Sequence, residues 1–142
     1  MKDDGIGLLV AEELDKRFHC RELEIIYGET DSEACFYSLD PDDFILILDA
    51  MSSGDRPGSV KIFPLEEIME QVSSPTMQHD MSFLDMIRLY RFPVKGYLIG
   101  IEVSIIAPGC ELSTVLKRQF PHICRKTEDM IREILSMEGK IR

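Results

Sequence analysis

Polar and apolar positions in this chain follow two periods by turns. Ile6, Leu9, Val10, Leu14 and Phe18 recur at helical spacing, while Glu12, Glu13, Lys16 and Arg17 fall on the other side, which predicts an amphipathic helix. Leu23–Tyr27 is a short β-rich run ended by Gly28. Phe44–Leu48 is apolar at every position, the pattern of a strand buried on both faces. Ser59–Phe63 alternates, with Val60 and Ile62 on one side and Lys61 and Phe63 on the other, as a strand nearer an edge does. Leu65–Val72 and Met81–Tyr90 return to helical spacing, the second through Phe83, Leu84, Ile87 and Tyr90. Tyr97–Val103 is a further apolar strand, interrupted by Gly100. The last helix starts near Ser113 and directs Val115, Leu116, Phe120, Ile123, Met130, Ile131 and Leu135 inward. Pro121 falls inside it and is expected to bend it. Strands alternating with helices in this order predict one α/β domain over residues 1–142, a mostly parallel twisted sheet with helices on both faces.

Length and charge narrow the class. With 142 residues, one domain with a single real core is expected. The 16 basic and 26 acidic residues leave a net charge of −10, which argues against nucleic acid or an anionic membrane as main partner. No apolar run approaches the ~20 residues of a membrane helix, so neither a membrane span nor a signal peptide is expected. Cys20, Cys35, Cys110 and Cys124 show no C-x-x-C spacing, so they predict reduced thiols and a cytoplasmic protein rather than a zinc ribbon or redox pair. Gly5-Ile6-Gly7 lacks the rest of a dinucleotide fingerprint, and no Gly-Lys-Ser/Thr occurs.

Candidate chemistry gathers at predicted element ends. Asp3 and Asp4 stand at the mouth of the first helix, where one carboxylate suffices as a cap and suits the helix dipole. Ligands of parallel sheets bind beyond the carboxyl ends of the strands, and Asp49 directly follows the predicted Phe44–Leu48 strand. Tyr27-Gly28-Glu29-Thr30 ends another strand at the same rim, and His79 lies in a polar loop ahead of the Met81–Tyr90 helix. Each has a plain alternative: Asp4 as a cap, Asp49 as a turn residue, His79 as a solvated surface group. Together, two carboxylates and an imidazole suit a borderline divalent metal such as zinc or nickel, and equally a small acid/base site. The eight methionines are expected as core filler, and His19 and His122 as helix residues without a site role.

Asp3-Asp4-Gly5-Ile6-Gly7, followed by Leu8-Leu9-Val10-Ala11-Glu12-Glu13-Leu14, resembles the signature of the nickel–iron hydrogenase maturation endopeptidases. The resemblance continues through Ile45-Leu46-Ile47-Leu48-Asp49-Ala50, Pro57-Gly58 before a strand, and His79 ahead of Asp85. Leu98-Ile99-Gly100-Ile101 and Leu112-Ser113 complete it, so it spans nearly the whole chain in order. It implies an endopeptidase that removes a short C-terminal extension from the precursor of a hydrogenase large subunit after nickel insertion. Asp4, Asp49 and His79 match the family's metal-contacting residues, with nickel carried by the substrate and another divalent metal conceivable in the free protein. The family has no serine or cysteine nucleophile, and none is evident here.

Two departures carry expectations of their own. Family chains begin with a buried strand and a Gly-x-Gly-Asn turn before the acidic pair, whereas Met1 and Lys2 alone precede it here. The expectation is a true start upstream or a truncated chain, with neighbouring strand edges left unpaired. Gly28-Glu29-Thr30 stands where the family has Gly-Gly-Thr, as a substrate-specific loop variant would. Two other functions remain compatible with the residues. One is a catalytically impaired relative that only binds a metalloprotein partner; the other is an unrelated carboxylate-dependent hydrolase.

Overall fold

The computed structural model describes residues 5–18, 32–70, 81–103 and 113–138. Their elements are α1 (Ile6–Arg17), α2 (Ser32–Tyr37), β1 (Phe44–Met51), β2 (Val60–Pro64), α3 (Leu65–Glu70), α4 (Met81–Leu89), β3 (Lys95–Glu102) and α5 (Thr114–Met137). The predicted Leu23–Tyr27 strand lies outside the described residues. Helix α2 was not expected; its six residues are too few to show a period, and it is held by packing of Phe36 on Phe83 and Ile87.

The described strands form a sheet in the order β1-β3-β2. β1 and β3 run parallel, in register from Phe44 beside Lys95 to Met51 beside Glu102. The path between them passes through α3 and α4, the helical crossover that parallel pairing requires. β2 pairs antiparallel with β3, Val60 opposite Ile101, and stands at the edge as its alternating pattern predicted. The connection 52–59 is shorter than the ~10 residues a parallel crossover needs, so β2 runs back against the other strands.

Alternation along the strands divides the core. Leu46, Leu48 and Ala50 of β1 and Ile99, Ile101 and Val103 of the β3 run join Val60 under α1 and α5. There they meet Ile6, Val10 and Leu14 of α1 and Leu116, Ile123, Ile131 and Leu135 of α5 in one continuous cluster. Ile45, Ile47 and Met51, with Leu98 and Phe63, turn to the other face, under Leu65 and Ile68 of α3 and Leu84 of α4. A smaller cluster of Phe36, Phe83 and Ile87 extends that face over the foot of the sheet. Phe44–Leu48 are only half-buried, against the expectation of burial on both faces, because β1 stands at one edge of the described sheet.

Local chemistry sets the helix ends. Lys16 and Arg17 close the last turn of α1, where cations suit the dipole. Helix α4 ends in a Schellman motif, with Phe92 N–H donating to the Ile87 carbonyl (3.0 Å) and Arg91 N–H to the Arg88 carbonyl (3.2 Å). Arg91 takes the left-handed conformation (φ 50°) that the motif needs, and Phe92 and Ile87 pack in the same cluster. Ser113 caps α5, its Oγ accepting from the Leu116 N–H at 3.3 Å. The helix continues across Pro121, whose side chain is exposed.

Candidate active site

Asp49 is the predicted site residue that the described structure places, and it is 7 % exposed. It does not follow its strand, as the sequence pattern suggested, but lies within it, because β1 runs on to Met51. Aspartate is a poor strand former, yet pairing with β3 overrides that preference: Asp49 stands beside Gly100 and Ala50 beside Ile101. The two-residue period turns Asp49 to the face of Ile45, Ile47 and Met51, at the carboxyl end of the strand. Its Oδ1 accepts from the Ala50 N–H at 2.8 Å, which fixes the direction of the carboxylate.

Asp4 and His79 lie outside the described residues, but the helices that follow each of them in sequence are placed. A methyl group at Gly7 would lie 2.7 Å from the Leu48 carbonyl oxygen and 3.4 Å from the Asp49 nitrogen. Glycine therefore lets the first turn of α1 rest directly on the β1 backbone at Asp49. The N-cap position falls on Gly5, one residue after Asp4, and glycine supplies no capping side chain. Helix α4 ends at the foot of β1, where Asp42 N–H donates to the Pro93 carbonyl (2.6 Å) and Lys95 N–H to the Asp43 carbonyl (3.0 Å). Its earlier residue Leu84 belongs to the cluster formed by Ile45, Ile47, Met51 and Leu98 on the face to which Asp49 turns. The helix thus lies on that face, and its first residue, Met81, is two positions after His79 in sequence.

One row further along the same face stands a group the sequence reading did not single out. Glu102, beside Met51 in the register, is 2 % exposed. Its Oε1 and Oε2 accept from the Ser53 N–H at 3.2 and 3.0 Å, and Oε1 accepts from the Ser53 hydroxyl at 2.6 Å. Ser53 also approaches Asp55, which forms an ion pair with Lys61. The signal was present in the sequence: Glu102 is a lone carboxylate in an apolar strand, and such a strand is buried. Gly100, which interrupts the run, has its own reason, since the Met51 thioether occupies the space a side chain would need.

Of the described cysteines, Cys124 is unsuited to nucleophilic catalysis. Cys124 is fully buried between α1 and α5, and burial pushes its thiol above the ordinary value, opposite to what a thiolate nucleophile needs. His122 lies within α5 and is exposed. Among the described residues, no three His, Cys, Asp or Glu side chains cluster to hold a metal ion. No helix among them is long and apolar enough to cross a membrane. One open groove lies at the far end of the sheet, lined by Phe44, Ile87, Arg91, Lys95, Tyr97 and others, away from Asp49.

Comparison with known proteins bears on the same elements. The family model described as hydrogenase maturation protease matches residues 8–130. The hydrogenase 2 maturation protease of Escherichia coli strain K12 is 24 % identical over 123 residues, covering 82 % of this chain and 75 % of that protein. Among solved structures, the hydrogenase maturating endopeptidase HybD from E. coli has a TM-score of 0.73 at 22 % identity, covering 94 % of this chain and 86 % of its own. The [NiFe] hydrogenase maturation protease HybD from Thermococcus kodakarensis has a TM-score of 0.69 at 28 % identity, covering 92 % and 90 %.

Proposed function

The chain belongs to the hydrogenase maturation protease family, and from that premise we propose that it removes the C-terminal extension of a nickel–iron hydrogenase large-subunit precursor once nickel has been inserted. The observation that carries this reading is the place of Asp49, a buried carboxylate at the carboxyl rim of the parallel pair, with the first turn of α1 resting on its backbone. That rim is where α/β sheets bind their ligands. The helix that follows Asp4 in sequence begins at this end, and the helix that follows His79 lies on the face to which Asp49 turns.

In this proposal the nickel belongs to the substrate, and Asp4, Asp49 and His79 are its contacts. Carboxylate oxygens and an imidazole nitrogen are suitable donors for such a metal. The substrate's nickel supplies Lewis-acid chemistry, by polarising the scissile carbonyl or activating a water. The protein's own contribution is orientation. The Ala50 N–H holds the Asp49 carboxylate, and close contact between α1 and β1 fixes where the α1 segment begins relative to it. The proposed partner is thus a cytoplasmic metalloprotein precursor.

The test is to incubate the purified chain with nickel-loaded and nickel-free precursor and follow the intact mass of the precursor. Loss of a C-terminal peptide from the nickel-loaded form alone is expected. Equal cleavage of both forms would remove nickel from recognition, and cleavage of neither beside tight binding would indicate a relative that binds without cutting.

A further inference from the structure

A carboxylate buried in an apolar strand is costly unless it is well hydrogen-bonded, and the mechanism above does not use Glu102. Its side chain takes the N–H and the hydroxyl of Ser53, at the start of the 52–59 connection. Its backbone takes the other end: Gly58 N–H donates to the Glu102 carbonyl at 2.9 Å, and Glu102 N–H to the Ser59 carbonyl at 2.8 Å. One residue of β3 therefore closes both ends of the loop that follows Asp49. Two further contacts fix its shape. Asp55 pairs with Lys61, and Gly58, at φ 90°, lies under the Gln119 side chain, which fills the space a Cβ would take. Between these ties, Ser53, Gly54, Asp55 and Arg56 remain exposed. Asp49 and Glu102 stand in successive rows of the same sheet face.

We propose that Glu102 is a positioning residue, whose hold on Ser53 presents the exposed 53–56 segment to the precursor at the rim that carries Asp49. This rests on the endopeptidase reading above. Hydrogen bonds to an ionised acceptor are stronger than neutral ones, so the carboxylate sets the loop more firmly than an amide of the same shape would. Glutamine at 102 keeps one acceptor oxygen and puts an NH2 group where Oε2 now accepts from the Ser53 N–H, setting donor against donor. The loop then samples other conformations, and the precursor must select the competent one.

The experiment compares wild type with Glu102→Gln, Ser53→Ala and the double variant. It measures steady-state cleavage of nickel-loaded precursor and hydrogen exchange of the loop amides. Glu102→Gln is expected to raise KM about tenfold, the loss of one charge-assisted hydrogen bond, with kcat within about twofold. Exchange at 53–56 should quicken in parallel. Ser53→Ala should raise KM less, and the double variant no further than Glu102→Gln, because both act through one contact. A merely structural role would lower the melting temperature and leave KM and loop exchange of the folded protein unchanged; that result overturns the proposal. So does a fall in kcat at constant KM. A wild-type chain that cleaves no precursor would instead overturn the endopeptidase reading, and this proposal with it.

Discussion

On one face of the sheet, α1 and α5 cover an unbroken apolar layer that runs from Ile6 and Leu14 through Ile99 and Ile101 to Leu116 and Leu135. On the other, α2, α3 and α4 are short, the apolar residues fall into two smaller clusters, and Asp49 and Glu102 stand at the rim. The same strands build both faces, since alternate residues of β1 and β3 serve each. A long amphipathic helix such as α5 can cover a sheet from end to end, and the side it buries is apolar except at Thr127. Three short helices cover it in pieces, and two buried carboxylates stand at its carboxyl end. The contrast separates a face that stabilises the fold from the face proposed to carry the chemistry.

Truncation in the α1–α5 layer gives the largest stability effect by which that division can be broken. Leu116 is fully buried there, and Leu116→Ala should cost about 2–5 kcal/mol while leaving the cleavage rate per folded molecule unchanged. Chemical denaturation beside a cleavage assay checks both halves; a rate that fell in proportion to stability would dissolve the distinction. Gly7→Ala is the variant that should affect both faces. Its methyl would press on the Leu48 carbonyl, at about 1–3 kcal/mol for overpacking, and shift the first turn of α1 away from Asp49. Reduced stability together with reduced cleavage is expected, whereas loss of stability alone would show that the approach of α1 matters only to packing.

A smaller effect concerns acid. The Glu128 carboxylate is held below the usual range, first by its hydrogen bond from Arg132 and then by that from Arg17 of α1. A carboxylate whose folded pKa is depressed adds stability that is present above its unfolded value, about 4.3. That stability is lost as the pH falls through the folded value. As the pH falls from neutral through the ordinary carboxylate range and below it, the wild-type melting temperature should fall more steeply than that of Glu128→Gln. Parallel curves would mean that this surface network does not tie α1 to α5.

Much of this organisation was legible in the chain. The periods of α1, α4 and α5 and the alternation of β2 located those elements to within a residue or two at most ends. Misjudged features were those decided by tertiary contact. Asp49 looked like a strand terminator because its residue type is, and the pairing with β3 that sets it beside Gly100 keeps it inside β1. α2 depends on an aromatic group, Phe36 against Tyr90 and Phe92, that no local period reveals. Glu102 shows in the sequence only as a lone carboxylate inside an apolar strand, and its partner Ser53 lies 49 positions away, beyond any local pattern. In the candidate site, Asp49 was identified from its sequence position; the contact that holds α1 against it, through Gly7, required the structure.

The most direct measurement is calorimetric titration of the chain with nickel or cadmium, beside Asp4→Ala, Asp49→Ala and His79→Ala variants. Convergence of these residues at one rim requires saturable binding by the wild type, weakened at least ~100-fold in each variant, more than the loss of an outer-sphere partner usually costs. Binding that survives unchanged in the Asp49→Ala variant, with the fold intact, would contradict the assignment of this rim as the site.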